Sequence, residues 1–291
     1  LGETDLSAEI LKGAPVAAFL NDKTAEMCSL LRRKGIEPCL AVVRVGERGD
    51  DIAYEKGILK RCSTVGVAVK QLILAENADE AELIDCLKKL NEDAFVHGIL
   101  VFMPLPGHID ERAVRAAIAV HKDVDGVTDG SAAGVYSGSG MGFAPCTARA
   151  VIEILKYYGV EIASRRAVIF GRSMVIGRPV SMLLMEKNAT VTLCHSRTVE
   201  PEGIAQDADI VVAAVGKAEA LGEAYFRPGQ TVIDVGINFN AEGKMCGDAD
   251  FAAAEPIVSA ITPVPGGVGA VTTAVLVRHV AEAAEKYGDK G

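Results

Sequence analysis

Short apolar runs alternate with amphipathic stretches of helical period through most of this chain, and that alternation constrains its fold more than any other feature. Ala14 to Arg33 places Val16, Leu20, Met27, Leu30 and Leu31 on one side of a helix. Gly35 and Pro38 end it, and Cys39 to Val45 reads as a buried strand. Asp50 or Asp51 is expected to cap the next helix, which runs to about Val65. Val67 to Leu74 is then a strand, Asp79 to Leu90 a helix, and Gly98 to Phe102 a strand. This β-α-β rhythm predicts a parallel sheet with helices on its faces. Residues 103–147 break the rhythm. Pro104, Pro106, Pro145 and the glycines from Gly107 to Gly142 predict long loops around one short helix near Glu111 to Ala119. Ordered loops at the ends of α/β strands are where binding groups sit. A helix near Ala148 to Tyr158 leads into a second α/β segment, with strands at Ala167–Phe170, Thr190–Leu193, Ile210–Val215 and Thr231–Asp234. A last helix runs from about Val271 to Lys286.

At 291 residues the chain is long enough for about two domains of ~150 residues, each with a real core. Apolar residues make up 49% and charged ones 24%, which excludes a disordered chain. The net charge of −9 argues against nucleic acid or an anionic membrane as a general partner. No apolar run approaches the ~18 residues of a membrane span. The start, Leu1-Gly2-Glu3-Thr4-Asp5, has neither the basic residues nor the apolar stretch of a signal peptide, and its missing Met suggests a trimmed segment. The seven cysteines form no CxxC pair, so neither a metal site nor a disulfide framework is expected. They read as reduced residues of a cytoplasmic protein. Cys146, in a Pro-Cys-Thr turn, has no evident His or base partner in the sequence and is read as a small buried hydrophobe.

The strand ending at Phe170 is followed by Gly171-Arg172-Ser173-Met174-Val175-Ile176-Gly177-Arg178-Pro179 and then a helix. Strand, glycine turn and helix start place backbone N–H groups and a helix dipole where a pyrophosphate binds, although the six-residue glycine spacing is not the usual GxGxxG. An NAD site wants an acidic residue after the next strand for the ribose 2′-hydroxyl. Here His195-Ser196-Arg197 follows, with Arg172 on the opposite loop. Two guanidinium groups and a hydroxyl suit a 2′-phosphate, which favours NADP and leaves NAD as the alternative.

Several stretches in order along the chain resemble the methylenetetrahydrofolate dehydrogenase/methenyltetrahydrofolate cyclohydrolase family. They are Val45-Gly46-Glu47 leading to Tyr54, Pro104-Leu105-Pro106, Lys122-Asp123-Val124-Asp125-Gly126, Pro145-Cys146-Thr147, Gly171-Arg172-Ser173, Ile233 to Asn238, and Thr262 to Gly269. The resemblance implies two α/β domains: an N-terminal folate-binding domain and a Rossmann-like dinucleotide-binding domain, with the C-terminal helix returning to the first. The division expected here is residues 1–147 plus 270–291 for folate and 148–269 for the dinucleotide. It also implies a homodimer, a folate substrate lying between the domains, and catalytic roles for Tyr54 and Asp125. Tyr54 would stack on the pterin and aminobenzoyl rings, and Asp125 would accept hydrogen bonds from the pterin's amino edge. Pro265, Gly266 and Gly267 would let the backbone approach the folate. Gly171, Arg172, Ser173, Ser196 and Arg197 would hold the dinucleotide, with Ile237 near its nicotinamide end.

Two positions depart from the family pattern. The family's catalytic lysine stands four residues after the tyrosine, where this chain has Ile58. Its supporting glutamine stands two residues before Pro104, where this chain has Phe102. Lys56 and Lys60 point away from the Tyr54 face at ~100° per residue, while Arg61 returns to it but makes no proton shuttle near neutral pH. Hydride transfer from the one-carbon bridge needs mainly alignment, whereas hydration of the methenyl product needs a proton carrier. The expectation is therefore a dehydrogenase with weak or absent cyclohydrolase activity. The alternatives are a full bifunctional enzyme, with Lys56, Lys60 or water standing in, and a non-catalytic folate- or nucleotide-binding regulator.

Overall fold

A computed structural model describes residues 7–288; residues 1–6, on which the signal-peptide expectation falls, and 289–291 lie outside the described residues. The chain divides into two compact units, Ala18–Cys146 with Thr273–Gly291 and Leu1–Ala17 with Thr147–Thr272. The division differs from the sequence expectation at the N-terminus. Strand Glu9–Ile10 pairs in parallel with Ala260–Ile261, so it belongs to the sheet of the second unit. A two-residue strand has no alternation for a sequence reading to detect.

The first unit is built on a three-stranded parallel sheet. Cys39–Val45 is central, flanked by Ala68–Leu74 and Gly98–Val101. Leu40, Ala41, Val42 and Val43 are all buried, as a strand covered on both faces requires. Helix Glu80–Glu92 is started by the Asp79 carboxylate, which accepts from the Glu82 N–H at 2.8 Å, and it buries Leu83, Leu87 and Leu90. Helix Gly49–Val65 follows the central strand and differs from expectation at its start. Its cap is Arg48, without a side-chain cap bond, and Asp50 and Asp51 lie inside the first turn, where their negative charge is stabilised by the positive end of the helix dipole.

The segment expected to hold one short helix holds more. Glu111–Ala117 is helical, Val120–Lys122 is a 3₁₀ turn, and Asp129–Ser137 is a further helix capped by Thr128. Gly130 and Gly134 hid this helix, because glycine lowers helix propensity by about 1 kcal/mol. Close packing requires them: a Cβ on Gly134 would lie 1.9 Å from the Met141 carbonyl oxygen, and one on Gly130 2.3 Å from Val120.

The second unit carries a six-stranded parallel sheet. Its order is Glu9–Ile10, Ala260–Ile261, Thr231–Asp234, Ile210–Ala213, Arg166–Phe170 and Thr190–Cys194. After Glu9–Ile10 the chain returns to this sheet at Arg166–Phe170, steps to one side, then crosses to the other. That reversal opens a crevice at the carboxyl ends of Arg166–Phe170 and Ile210–Ala213, the place where open α/β sheets bind ligands. The last helix, Val268–Tyr287, begins in this unit and belongs to the first from Thr273 onward. Among the described residues, no helix is long and apolar enough to cross a membrane.

Candidate active site

Tyr54 lies just past the first turn of helix Gly49–Val65, after the central strand of the first unit, and keeps 44% of its surface exposed. Asp125 stands in the turn that follows Val120–Lys122. The two interact electrostatically: loss of water around the Tyr54 phenol raises its pKa most, and the charges of Asp125 and Cys146 add to the rise. Asp125 is part-buried, and desolvation pushes its carboxyl up to about 6, with a hydrogen bond from Cys146 acting the other way. The unit thus holds an accessible aromatic face and a carboxylate within electrostatic range of each other, groups suited to stacking and to accepting hydrogen bonds.

Ile58 is fully buried and stands one helical turn after Tyr54. Phe102 is 7% exposed, and its ring meets that of Tyr54 edge-on, with centroids 5.8 Å apart and planes at 70°. Lys56 and Lys60 are exposed. Arg61 is part-buried; it donates to the Asn21 side-chain oxygen at 3.0 Å, and its Nε is buried without a hydrogen-bond partner. The corner behind the Tyr54 ring is therefore lined by hydrocarbon, and no ammonium enters it from Lys56 or Lys60.

In the second unit Gly171 follows strand Arg166–Phe170 in a conformation that favours glycine, φ +116°. A Cβ there would lie 2.0 Å from the Ala214 carbonyl oxygen, and a Cβ on Gly177 2.0 Å from that of Gly171. Helix Gly177–Glu186 starts at once. The Ser173 hydroxyl accepts from the Ile176 N–H at 3.1 Å, which leaves its own proton to donate. Arg172, Ser173, Ser196 and Arg197 are all exposed at the carboxyl ends of the two adjacent strands. The turn after Thr190–Cys194 is held by its own side chains: His195 N–H donates to Thr198 Oγ1 at 2.9 Å, and Arg197 N–H to His195 Nδ1 at 3.1 Å. A glycine turn, a helix start, two guanidinium groups and two hydroxyls form a donor set that fits a phosphorylated dinucleotide. Ile237 is 65% exposed. Pro265, Gly266 and Gly267 belong to this unit, where Gly13 N–H donates to the Gly266 carbonyl at 2.7 Å.

The model of the tetrahydrofolate dehydrogenase/cyclohydrolase catalytic domain matches residues 11–125, and that of the family's NAD(P)-binding domain matches residues 145–288. This chain belongs to that family. The bifunctional protein FolD of Clostridioides difficile (strain 630) is 47% identical over 282 residues, which cover 97% of this chain and 98% of that protein. The crystal structure of the bifunctional FolD enzyme, a methylenetetrahydrofolate dehydrogenase/cyclohydrolase, from Campylobacter jejuni superposes with a TM-score of 0.92 at 36% identity, over 96% of this chain and 99% of that one. That of the Trypanosoma brucei enzyme, complexed with NADP cofactor and inhibitor, gives 0.88 at 33%, over 96% and 98%.

Three residues that sequence reasoning passed over organise the sites of this tetrahydrofolate dehydrogenase/cyclohydrolase family member. Asp123, fully buried, accepts from Val127 N–H, Thr128 N–H, the Thr128 hydroxyl and the Ser131 hydroxyl at 2.6–3.0 Å, and so shapes the turn that carries Asp125. Asp248, also fully buried, accepts from the N–H groups of Val215, Gly216 and Lys217 and from the Asn238 side chain. It ties the loop after Ile210–Ala213 to the residue next to Ile237, and it explains why that strand stops short of Val215. The third is His279, which packs beside Cys146, a residue buried as expected. The His279 Nδ1 lies 3.8 Å from the Cys146 sulfur, 133 residues away in sequence, and burial pushes the Cys146 thiol well above the usual thiol range, so Cys146 stays a protonated thiol. Asp123 was legible only as a member of the Lys122–Gly126 motif, and nothing local marks Asp248 or His279.

Proposed function

We propose that this protein is an NADP-linked 5,10-methylenetetrahydrofolate dehydrogenase. The observation that carries the reading is the pairing in one unit of the exposed Tyr54 ring with the Asp125 carboxyl, in a chain whose other unit matches the family's NAD(P)-binding domain. Tyr54 stacks on the folate, and ionised Asp125 accepts from the pterin's amino edge. Gly171 lets the turn approach the pyrophosphate, Ser173 donates its hydroxyl proton, and Arg172, Ser196 and Arg197 receive the 2′-phosphate. Pro265, Gly266 and Gly267 give a backbone edge to the folate, and Ile237 borders the nicotinamide. NADP, when bound, supplies the hydride acceptor. The folate's own nitrogen lone pair stabilises the cation that forms, so the chain's contribution is alignment of the two reacting carbons and not proton transfer. By its family resemblance the protein works as a homodimer.

In this reading cyclohydrolase activity is weak, because Ile58 and Phe102 offer no proton carrier beside Tyr54. A second reading, the bifunctional enzyme, draws support from the relatives: the Clostridioides difficile protein at 47% identity is named bifunctional, and names of this kind favour the second reading over loss of the hydrolase. Two assays on the purified protein separate them. NADP-linked oxidation of methylenetetrahydrofolate tests the dehydrogenase, and its absence would overturn the proposal. Decay of methenyltetrahydrofolate absorbance at a rate near the spontaneous one supports the first reading, and decay at a rate comparable to dehydrogenase turnover supports the second.

A further inference from the structure

The peptide that joins Val124 to Asp125 is held from outside its own turn. The Val124 side chain is fully buried and packs where Gly98 leaves room; a Cβ on Gly98 would lie 2.7 Å from it. Its carbonyl oxygen has two lone pairs, and two side chains reach them. His279 Nδ1 lies 2.8 Å away, and the Cys146 sulfur 3.4 Å. A carbonyl only accepts, so His279 must carry its proton on Nδ1. With that tautomer, Nδ1 cannot also accept from the thiol, and the 3.8 Å approach to Cys146 is packing. The thiol proton then goes to Val124 or to the Asp125 carboxylate, whose hydrogen bond from Cys146 favours the charged form. The imidazole has little freedom to turn away. It is 4% exposed, and its ring lies against that of Phe143 with centroids 4.8 Å apart and planes at 33°.

We infer that His279, on the last helix, is a positioning residue for the folate contact of Asp125: its Nδ1–H fixes the Val124 carbonyl, and with it the peptide plane from which the Asp125 side chain projects. The inference rests on the reading of Asp125 as a folate ligand. A peptide plane free to rotate would swing the φ of Asp125 and carry its carboxylate off the pterin edge. The Asp123 carboxylate holds the far side of the turn, on Val127, Thr128 and Ser131, and its carbonyl accepts from Gly126 N–H at 3.2 Å to close the turn, but none of these bonds reaches the Val124 carbonyl, so the central peptide can still rotate. His279 and Cys146 supply the missing constraint. The last helix therefore reports to the site through one hydrogen bond as well as through packing.

The test is a substitution series at His279 in the full-length protein, read in the NADP-linked dehydrogenase assay. Asn places a donor Nδ2 where imidazole has Nδ1, Gln places its amide one bond further out, and Leu fills the space without a donor. His279→Leu and His279→Gln should each raise the KM for methylenetetrahydrofolate about tenfold, the scale of one lost hydrogen bond in a low-dielectric site. His279→Asn should stay within about threefold of the unsubstituted protein, and the KM for NADP should stay within about twofold throughout. Asn no better than Gln would overturn the inference, as would a KM for NADP that rises in step with that for folate. If His279→Leu does not fold, the Asn and Gln pair decides. Asp125→Ala separates the two levels of the argument. If it raises the folate KM while His279→Gln does not, only the positioning role fails. If it leaves the folate KM unchanged, the reading of Asp125 fails and takes this inference with it.

Discussion

Replacing Ile58 by lysine and Phe102 by glutamine, singly and together, asks whether the hydrocarbon corner behind Tyr54 is what separates the two activities of the family. Ile58 is fully buried, so Ile58→Lys loses its burial, about 1.5–3 kcal/mol, and places an ammonium in a site without an acceptor. An uncompensated buried charge costs about 3–5 kcal/mol. Against a domain stability of about 5–15 kcal/mol, the single variant should melt far below the parent. Phe102→Gln loses the edge contact with Tyr54, about 0.5–1.5 kcal/mol, but brings an amide oxygen to the same corner. A hydrogen bond to a charged group returns about 1.5–3 kcal/mol, so the double variant should be more stable than the sum of the singles by roughly 2 kcal/mol. The same coupling should show in methenyltetrahydrofolate decay. The parent should run near the spontaneous rate and Ile58→Lys little above it. The double variant should gain part of the ~10²–10⁴-fold that general acid–base catalysis supplies. Denaturant titration of the four proteins and decay of the methenyl absorbance measure both. A parent that hydrolyses methenyltetrahydrofolate as fast as it turns over as a dehydrogenase would refute the reasoning and move the proton carrier to Lys56, Lys60 or bound water. Strict additivity of the two changes would refute the partnership.

Asp125 binds folate as a carboxylate, and desolvation places its pKa at about 6, so protonation removes the acceptor as pH falls. Folate kcat/KM should drop about tenfold per pH unit below about 6 and level off above it; a flat profile between pH 5 and 7 would exclude the role. Arg172→Ala should weaken NADP far more than NAD, by the ~1.5–3 kcal/mol of a charge-assisted bond, and equal loss in a binding titration of both would exclude the 2′-phosphate contact. Asp248→Ala orphans four donors, each worth about 1–3 kcal/mol if left buried and unpaired, and should lower both the melting temperature and NADPH affinity while sparing folate binding to the other unit. Gly171→Ala should abolish NADPH fluorescence enhancement, because both its φ and the Ala214 carbonyl stand against a Cβ.

The strands and most helices were legible because their signal is local. Val168, Ile169 and Phe170, or Leu83, Leu87 and Leu90, are apolar at the period of the element they form, and burial of that face is what stabilises it. The glycine turn after Phe170 was legible for the same reason, since a strand, a glycine with positive φ and a helix start are adjacent in the chain. Tyr54 and Asp125 were nameable from motif order, as was the hydrocarbon at positions 58 and 102. Their meeting was not, because it depends on where the parallel strands deliver Gly49–Val65 and the turn after Lys122. Helix Asp129–Ser137 escaped notice because its glycines answer to neighbours, the Met141 carbonyl and Val120, and not to helix propensity. Strand Glu9–Ile10 is defined only by its partner, Ala260–Ile261, some 250 residues on. The same holds for the Asp248 carboxylate under Val215–Lys217 and for His279 beneath Val124. A buried polar group takes whatever partner the packing brings within 3 Å, and sequence separation has no part in that choice. Periodicity therefore decides which elements form, while the hydrogen bonds that aim the site's side chains come into being only when distant segments share a core.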